Sequence, residues 1–428
     1  MTHLDLSLSN FSGPIPSEIS LLSQLVSLNI FQYPEIVVTL SLDACNRIVQ
    51  NLTNLRELKL SGVNMSSVIP DSFKNLSSSL TTLDLFDSQL QGKFPESIFR
   101  LPNLRVLDLG LNENLTGSLP NSNWSSPLET LGLSHTRILV DWHHLTRALK
   151  SSRKLSLASC TFIGSNFASL GNLTQITWLD LLQNGFGGQI PWSLLNLERL
   201  TKLDLSGNNY VGQIPEVESN STGIASLYDF SKRQLLGPIP RHLTYLSLSE
   251  NSLNETIPSW LGSLPSLEEL HLGSNQLNGN IIEFQSRSLS RLDLSSNNLG
   301  GNLEFEKFSK LQSLHWLNLS SNHLSLSFNH LSNNTWPQLL LLDLSNCNIS
   351  EFPYFLRASQ HLSVLYLSHN RIQADIPKWL LDLGKASLKF LDLSHNFLIG
   401  TVGQIQWKKI MYLDLRNNSL QGELPIPP

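Results

Sequence analysis

Leucines return along this chain in a fixed rhythm, L-x-x-L-x-L-x-x-N-x-L, with small polar residues at most of the places between. The first leucine of each L-x-L pair, or its stand-in, falls at Leu4, Leu28, Leu58, Leu83, Leu107, Leu131, Leu155, Leu179, Leu203, Tyr228, Leu246, Leu270, Leu292, Leu317, Leu342, Leu365, Leu391 and Leu413. These are eighteen units with a mean spacing of about 24 residues, a period that means a stacked repeat architecture. In L-x-L the two leucines share one side of an extended chain and the residue between them faces the other. Each unit therefore predicts one short strand, and stacked units predict a parallel sheet with strands about 4.8 Å apart. The pattern predicts a curved right-handed superhelix, a leucine-rich-repeat solenoid of α/β-type repeats. Its sheet lines the concave face, with 3₁₀, short helical or irregular segments on the convex face.

The residue five places after that first leucine turns the chain away from its strand. A side-chain amide there can hydrogen-bond backbone groups that the turn would leave buried and unpaired. Asn fills the place at Asn112, Asn184, Asn208, Asn251, Asn275, Asn297, Asn322, Asn370, Asn396 and Asn418, and Cys160 and Cys347 occupy it in two further units. The two cysteines read as buried structural thiols. With Cys45 they are an odd set, far apart, and propose neither a disulfide framework nor a zinc spacing. A second ridge comes from aspartates such as Asp5, Asp108, Asp180, Asp293 and Asp392, outward between the two leucines. These read as structural groups bonded to neighbouring Ser and Asn.

The tail of the unit is regular too. Gly-x-(Ile/Leu/Phe)-Pro recurs at Gly13 to Pro16, Gly92 to Pro95, Gly117 to Pro120, Gly188 to Pro191, Gly212 to Pro215, Gly237 to Pro240 and Gly422 to Pro425. Gly supplies positive φ or a close approach and Pro fixes the next bend, so the motif reads as the exit toward the convex side. The combined pattern L-D-L-S-x-N-x-L-x-G-x-I-P resembles the plant-specific class of extracellular leucine-rich repeats over essentially the whole chain. Val49 to Leu85 and Gly117 to Ser134 further resemble plant receptor-like proteins of the disease-resistance type. That resemblance implies a secreted repeat ectodomain held by one membrane helix, without a kinase of its own.

Residues 1–428 are expected to form one solenoid, with 31–57 an irregular insertion because the interval from Leu28 to Leu58 is the longest. The first four turn places, Ser9, Tyr33, Val63 and Ser88, carry no Asn, so the N-terminal quarter is expected to be the least regular. Neither end shows a polar capping repeat, a signal peptide or a membrane helix. The chain therefore reads as an ectodomain truncated at both ends, and alone it is expected to be poorly soluble or frayed at both ends.

Leucine makes up 89 of the 428 residues and charged residues only 15%. Every leucine-rich stretch is broken within a few positions by a polar residue or Gly, which excludes a helical membrane span. A net charge of −5 without a basic stripe argues against nucleic acid. No phosphate loop, His-Glu-x-x-His, nucleophile elbow or kinase signature is present, and His143-His144 has no acidic or Cys cluster beside it. The expectation is no enzyme, no metal and no cofactor.

Asn-x-Ser/Thr occurs at Asn10, Asn51, Asn64, Asn75, Asn114, Asn123, Asn172, Asn220, Asn254, Asn318, Asn333, Asn348 and Asn417, the glycosylation candidates. Together with the resemblance they place the parent protein on the extracellular side of the plasma membrane.

A partner is sought where aromatic or charged residues interrupt the small polar columns of the concave face, since aromatic and Arg side chains dominate interface energetics. One cluster joins Trp178 and Leu182 to Lys202, with Tyr245 further along. The other joins Tyr366, His369, Phe390, His395, Tyr412 and Arg416. His369 and His395, charged in a mildly acidic fluid, would tune a carboxylate-bearing ligand. Glycans at Asn318 or Asn417 would obstruct these surfaces. The leading reading is a non-catalytic recognition ectodomain for a protein, peptide or glycan ligand, in plant defence or developmental signalling. A kinase co-receptor or adaptor kinase would be engaged through parts outside this chain. The alternatives are a secreted inhibitor of a cell-wall-degrading enzyme, a receptor kinase's ectodomain, or a fragment without function.

Overall fold

A computed structural model describes residues 1–32, 37–121, 124–163, 167–194, 197–216, 240–328, 336–402 and 409–423. The chain divides into two compact units, Met1–Phe186 with Ser193–Leu205, and Gly187–Trp192 with Ser206–Pro428. The repeat expected at Tyr228, the turn place at Tyr33 and the sequons at Asn123, Asn220 and Asn333 lie outside the described residues.

In the first unit, nine three-residue strands from His3–Asp5 to Lys202–Asp204 form a parallel sheet in chain order. Leucine stands opposite leucine in the register, as in Leu28 with Leu58 and Leu107 with Leu131. In the second unit eight such strands run from Tyr245–Ser247 to Tyr412–Asp414 with the same register. Both leucines of each pair are buried, as at Leu107 and Leu109 or Leu365 and Leu367. This is the leucine-rich-repeat solenoid that the spacing predicts.

The strands are short because the chain enters the left-handed region at the fourth residue after the first leucine. There φ is 55° at Leu111, 56° at His135, 55° at His369 and 55° at His395. Side chains other than Gly adopt such angles at a cost of about 1 kcal/mol, so the turn needs compensation. Asn112 supplies it. Its Nδ2 donates to the carbonyls of Leu85 (2.8 Å), Leu109 (2.8 Å) and Gly110 (3.2 Å). Its Oδ1 accepts from the N–H of Ser88 (3.2 Å) and Leu90 (2.8 Å) in the preceding repeat. Asn370 repeats the arrangement with Leu344, Leu367 and Ser368 as acceptors and Cys347 and Ile349 as donors. Each Asn thus closes its own turn and ties it to the one before.

The cysteines at this place use their S–H in the same way. Cys160 Sγ donates to the Leu133 carbonyl at 3.2 Å and Cys347 Sγ to the Leu319 carbonyl at 3.1 Å. Burial pushes both thiols up to about 12. The aspartate ridge caps the turns from the other side: Asp108 Oδ1 accepts from Gly110 N–H at 3.0 Å, and Asp180 Oδ1 from Leu182 N–H at 3.1 Å.

Three expectations change. The segment after each turn is not merely an exit bend but forms a second row of short parallel strands. Gln91–Lys93, Asn114–Ser118, Arg137–Asp141 and Thr161–Ile163 pair in chain order, as do Asn278–Gly279, Asn298–Glu304 and His323–Ser327. The motif glycine does take positive φ, +94° at Gly92 and +79° at Gly212. The stretch 31–57 is not irregular throughout. It contains the α-helix Leu42–Asn51, capped by the Ser41 side chain accepting from Ala44 N–H and burying Ala44, Cys45, Ile48 and Val49. Burial pushes the Cys45 thiol up to about 12. The N-terminal quarter also keeps its sheet register without a break. Other groups replace the missing asparagines: Ser88 Oγ donates to the Leu60 carbonyl at 3.0 Å and Gln32 Nε2 to the Leu6 carbonyl at 3.2 Å. Elsewhere the repeats turn back through 3₁₀ segments such as Pro70–Asn75 and Phe305–Lys310, or short helices such as Trp142–Ala148 and Lys378–Ala386.

Replacing Asn370 by Ala strands several buried backbone groups and is expected to cost about 3 kcal/mol. Asn370→Cys, which restores one donor, should cost less, and urea unfolding of the two variants measures the difference. The three thiols, held protonated by burial, should resist a thiol reagent at mildly alkaline pH in the native chain and react in denaturant. A colorimetric thiol assay counts them.

Candidate functional site

With the central leucine of each strand turned inward, its two neighbours face outward and meet their equivalents on adjacent strands. In the first unit this register sets Lys154, Trp178 and Lys202 side by side. Lys154 Nζ stands 3.6 Å from the centre of the Trp178 ring and Lys202 Nζ 5.6 Å from it. The indole is thus approached by ammonium groups from both neighbouring strands, a favourable arrangement with the ring quadrupole. Burial holds the Lys154 ammonium below the usual lysine range, with Asp108 the largest opposing influence. Burial likewise pushes the Asp108 and Asp180 carboxyls upward, and Asp84 and Asp204 respectively add to it. Leu182 is half-buried at the edge of this patch. Lys154 was not singled out from the sequence, although its outward place beside Trp178 carries the same signal as Lys202.

A notch lies next to the patch. Gly132 takes an outward place usually held by Asp, and a Cβ there would stand 2.3 Å from Asp108 Oδ1. The carboxylate leans over the gap that only glycine leaves.

Tyr245 belongs to the second unit, where its ring is 5.6 Å from His271, itself 6.0 Å from Trp316. His271 Nε2 lies 3.2 Å from Glu269 Oε2, and Arg291 Nη1 lies 3.9 Å from the same oxygen. Of this aromatic and charged group only Tyr245 was singled out. His271, in the place of the usual Asp, and Trp316, one residue before its leucine, break the polar columns just as visibly.

The second expected cluster divides. Phe390 and Tyr412 share one outward column with Val364, while Tyr366 stands in the other column, in register with Asp392 and Asp414. Tyr412 hydroxyl donates to Asp414 Oδ2 at 3.2 Å, and Arg416 Nε pairs with the same oxygen at 3.2 Å. His369 and His395 are not on the strands. They occupy left-handed turn places at the edge of the strand face, with rings stacked 4.0 Å apart at 12°. Asn417 Nδ2 lies 3.2 Å from the His395 ring nitrogens. Asn318 faces outward from its strand, its Oδ1 accepting from Ser320 N–H at 3.1 Å and Oγ at 2.7 Å.

Among the described residues no group of three His, Cys, Asp or Glu side chains converges as a metal site. No helix among them is long and apolar enough to cross a membrane.

A family model described as Leucine Rich Repeat matches residues 54–76, 79–101, 199–220, 242–264 and 361–383, and a second such model matches 285–302. Receptor-like protein 41 of Arabidopsis thaliana is 35% identical over 415 residues, covering 88% of this chain and 41% of that protein. Receptor-like protein 6 of the same plant is 36% identical over 489 residues, covering 100% of this chain and 44% of that protein. The chain spans less than half the length of these curated relatives. Among solved structures, the ectodomain of the Arabidopsis thaliana receptor kinase GASSHO1/SCHENGEN3, in complex with CASPARIAN STRIP INTEGRITY FACTOR 2, superposes with TM-score 0.67 at 27% identity. That match covers 97% of this chain and 52% of the receptor. The plant peptide hormone receptor RGFR1 in complex with RGF2 gives TM-score 0.68 at 27% identity, covering 98% and 67%. The repeat, its turn ladder and these relatives agree: the chain belongs to the plant leucine-rich-repeat receptor-like proteins.

Proposed function

We propose that this chain is the non-catalytic ligand-recognition part of a cell-surface receptor-like protein, and that it takes a peptide along the outward face of its strands. The observation that carries the reading is the contrast on that face. Most outward places are small or polar, and the exceptions include the indole of Trp178 between two lysines in one unit and the rings of Tyr245, His271, Trp316, Tyr366, Phe390 and Tyr412 in the other. These rings are half-buried except for the exposed Tyr412, and solvent-facing aromatic and cationic groups on a rigid ladder are the groups that dominate peptide affinity. The similar plant peptide hormone receptor RGFR1, known in complex with RGF2, supports this ligand class. A further similar receptor kinase, HAESA, is known in complex with the peptide hormone IDA and the co-receptor SERK1. By analogy the parent protein of this chain works with a kinase co-receptor or adaptor, on the extracellular side of the plasma membrane, in defence or development.

Panning a random peptide library against the chain tests the reading. Selected peptides should lose about tenfold in affinity on Trp178→Ala or Tyr412→Ala, a loss of about 1.4 kcal/mol, with unchanged melting. Peptides indifferent to both substitutions would contradict it. Glycopeptide mapping of Asn417, exposed beside the His395 ring, is expected to find it unmodified if the second unit's face takes the ligand. Full occupancy there would confine recognition to the Trp178 face.

A further inference from the structure

Beside the turn ladder of the second unit runs an open groove of about 600 Å³, whose lining includes His323, Asn348, His369, Arg371, His395 and Phe397. One wall is the stacked pair His369 and His395 at their left-handed turn places. The other comes from residues two places further along each repeat, from His323 through Asn348 and Arg371 to Phe397. Among the described residues no carboxylate lines the groove, although the chain carries a net charge of −5. The Arg371 guanidinium is exposed and, among the described residues, makes no ion pair. At one end Phe397 is 56% exposed and Ile399 43% exposed. Both sit on an extended segment whose N–H groups bond to Ile372 and Ala374 carbonyls, so the two side chains share a face.

We propose that this groove binds an acidic peptide segment with an apolar residue at one end, resting on the reading of the chain as a peptide receptor. Each part of such a segment has a counterpart. Arg371 offers a fork of donors to a carboxylate, and an unpaired guanidinium gains most from one. His323, His369 and His395 donate N–H bonds in either protonation state, and the Asn348 amide both donates and accepts, as a peptide backbone requires. Phe397 and Ile399 take the apolar side chain. An acidic oligosaccharide would satisfy Arg371 but would bring no side chain for these two residues, so a peptide fits better. The same groove contains its own constraint: Asn348 begins an Asn-Ile-Ser sequon, and a glycan there would fill the space.

The test uses the full chain and a short blocked peptide, a run of glutamates ending in leucine, followed by fluorescence anisotropy. Binding should weaken about tenfold or more when glutamines replace the glutamates, and about tenfold on Arg371→Gln, as expected for a charge-assisted pair. Phe397→Ser should weaken it severalfold, and a serine in place of the peptide's leucine should do the same. Both substitutions are at exposed side chains, and unchanged melting shows that the variants are folded. Equal binding of the glutamine peptide, indifference to Arg371→Gln, or tighter binding of a uronic acid oligomer would each overturn the proposal. So would a glycan found on Asn348. If library peptides still depend on Trp178 or Tyr412 while the glutamate peptide does not bind, this inference fails and the receptor reading stands.

Discussion

A three-residue strand that must turn every time leaves backbone groups inside the protein with no partner in the sheet, and in ten of the eighteen units an asparagine stands at the turn place to resolve this. At Asn112 and Asn370 one side-chain amide fills three carbonyls and two N–H groups across two repeats. Buried polar groups left unpaired cost about 1–3 kcal/mol each, and the defect would recur in every unit. Cysteine serves at two places because a thiol can donate to the same carbonyl, though it cannot accept as an amide does. In exchange, the asparagine of the following repeat, Asn184 or Asn370, accepts the cysteine's own backbone N–H.

Because the ladder and the inward leucines hold the strands, the outward residues are released from structural duty except where an Asp caps a turn. Lys154, Trp178 and Lys202 can gather on one face, and Tyr366 or Phe390 on another, without disturbing the register beneath them. Recognition is thereby separated from stability. The same logic reaches the turn edge, where His369 and His395 occupy a place whose backbone angle is already set.

The main sheet was legible in the sequence because leucine spacing is a direct image of strand spacing, and register followed from one repeated letter. The second row of strands was not, since pairs such as Gly187–Gly188 with Asn209–Tyr210 carry almost no hydrophobic alternation. The helix Leu42–Asn51 was hidden by the length of its interval, although Ser41 three places before Ala44 is a capping signal. In the candidate site, Trp178 and Lys202 stood out in their columns, while Lys154, His271 and Trp316 were passed over although they break the columns by the same rule. Arg371 and Phe397 were invisible for another reason: they lie two residues past the turn, off the strand, and only the fold brings them beside the histidine pair.

Hydrogen exchange of the free chain tests the central role of the ladder most directly. The amides of Ser88, Cys160 and Cys347 lie at the turns, and that of Leu398 just beyond one, but all four donate to asparagine Oδ1 atoms. The account predicts that they exchange as slowly as amides of the main strands. Exchange at the rate of exposed turns would contradict it.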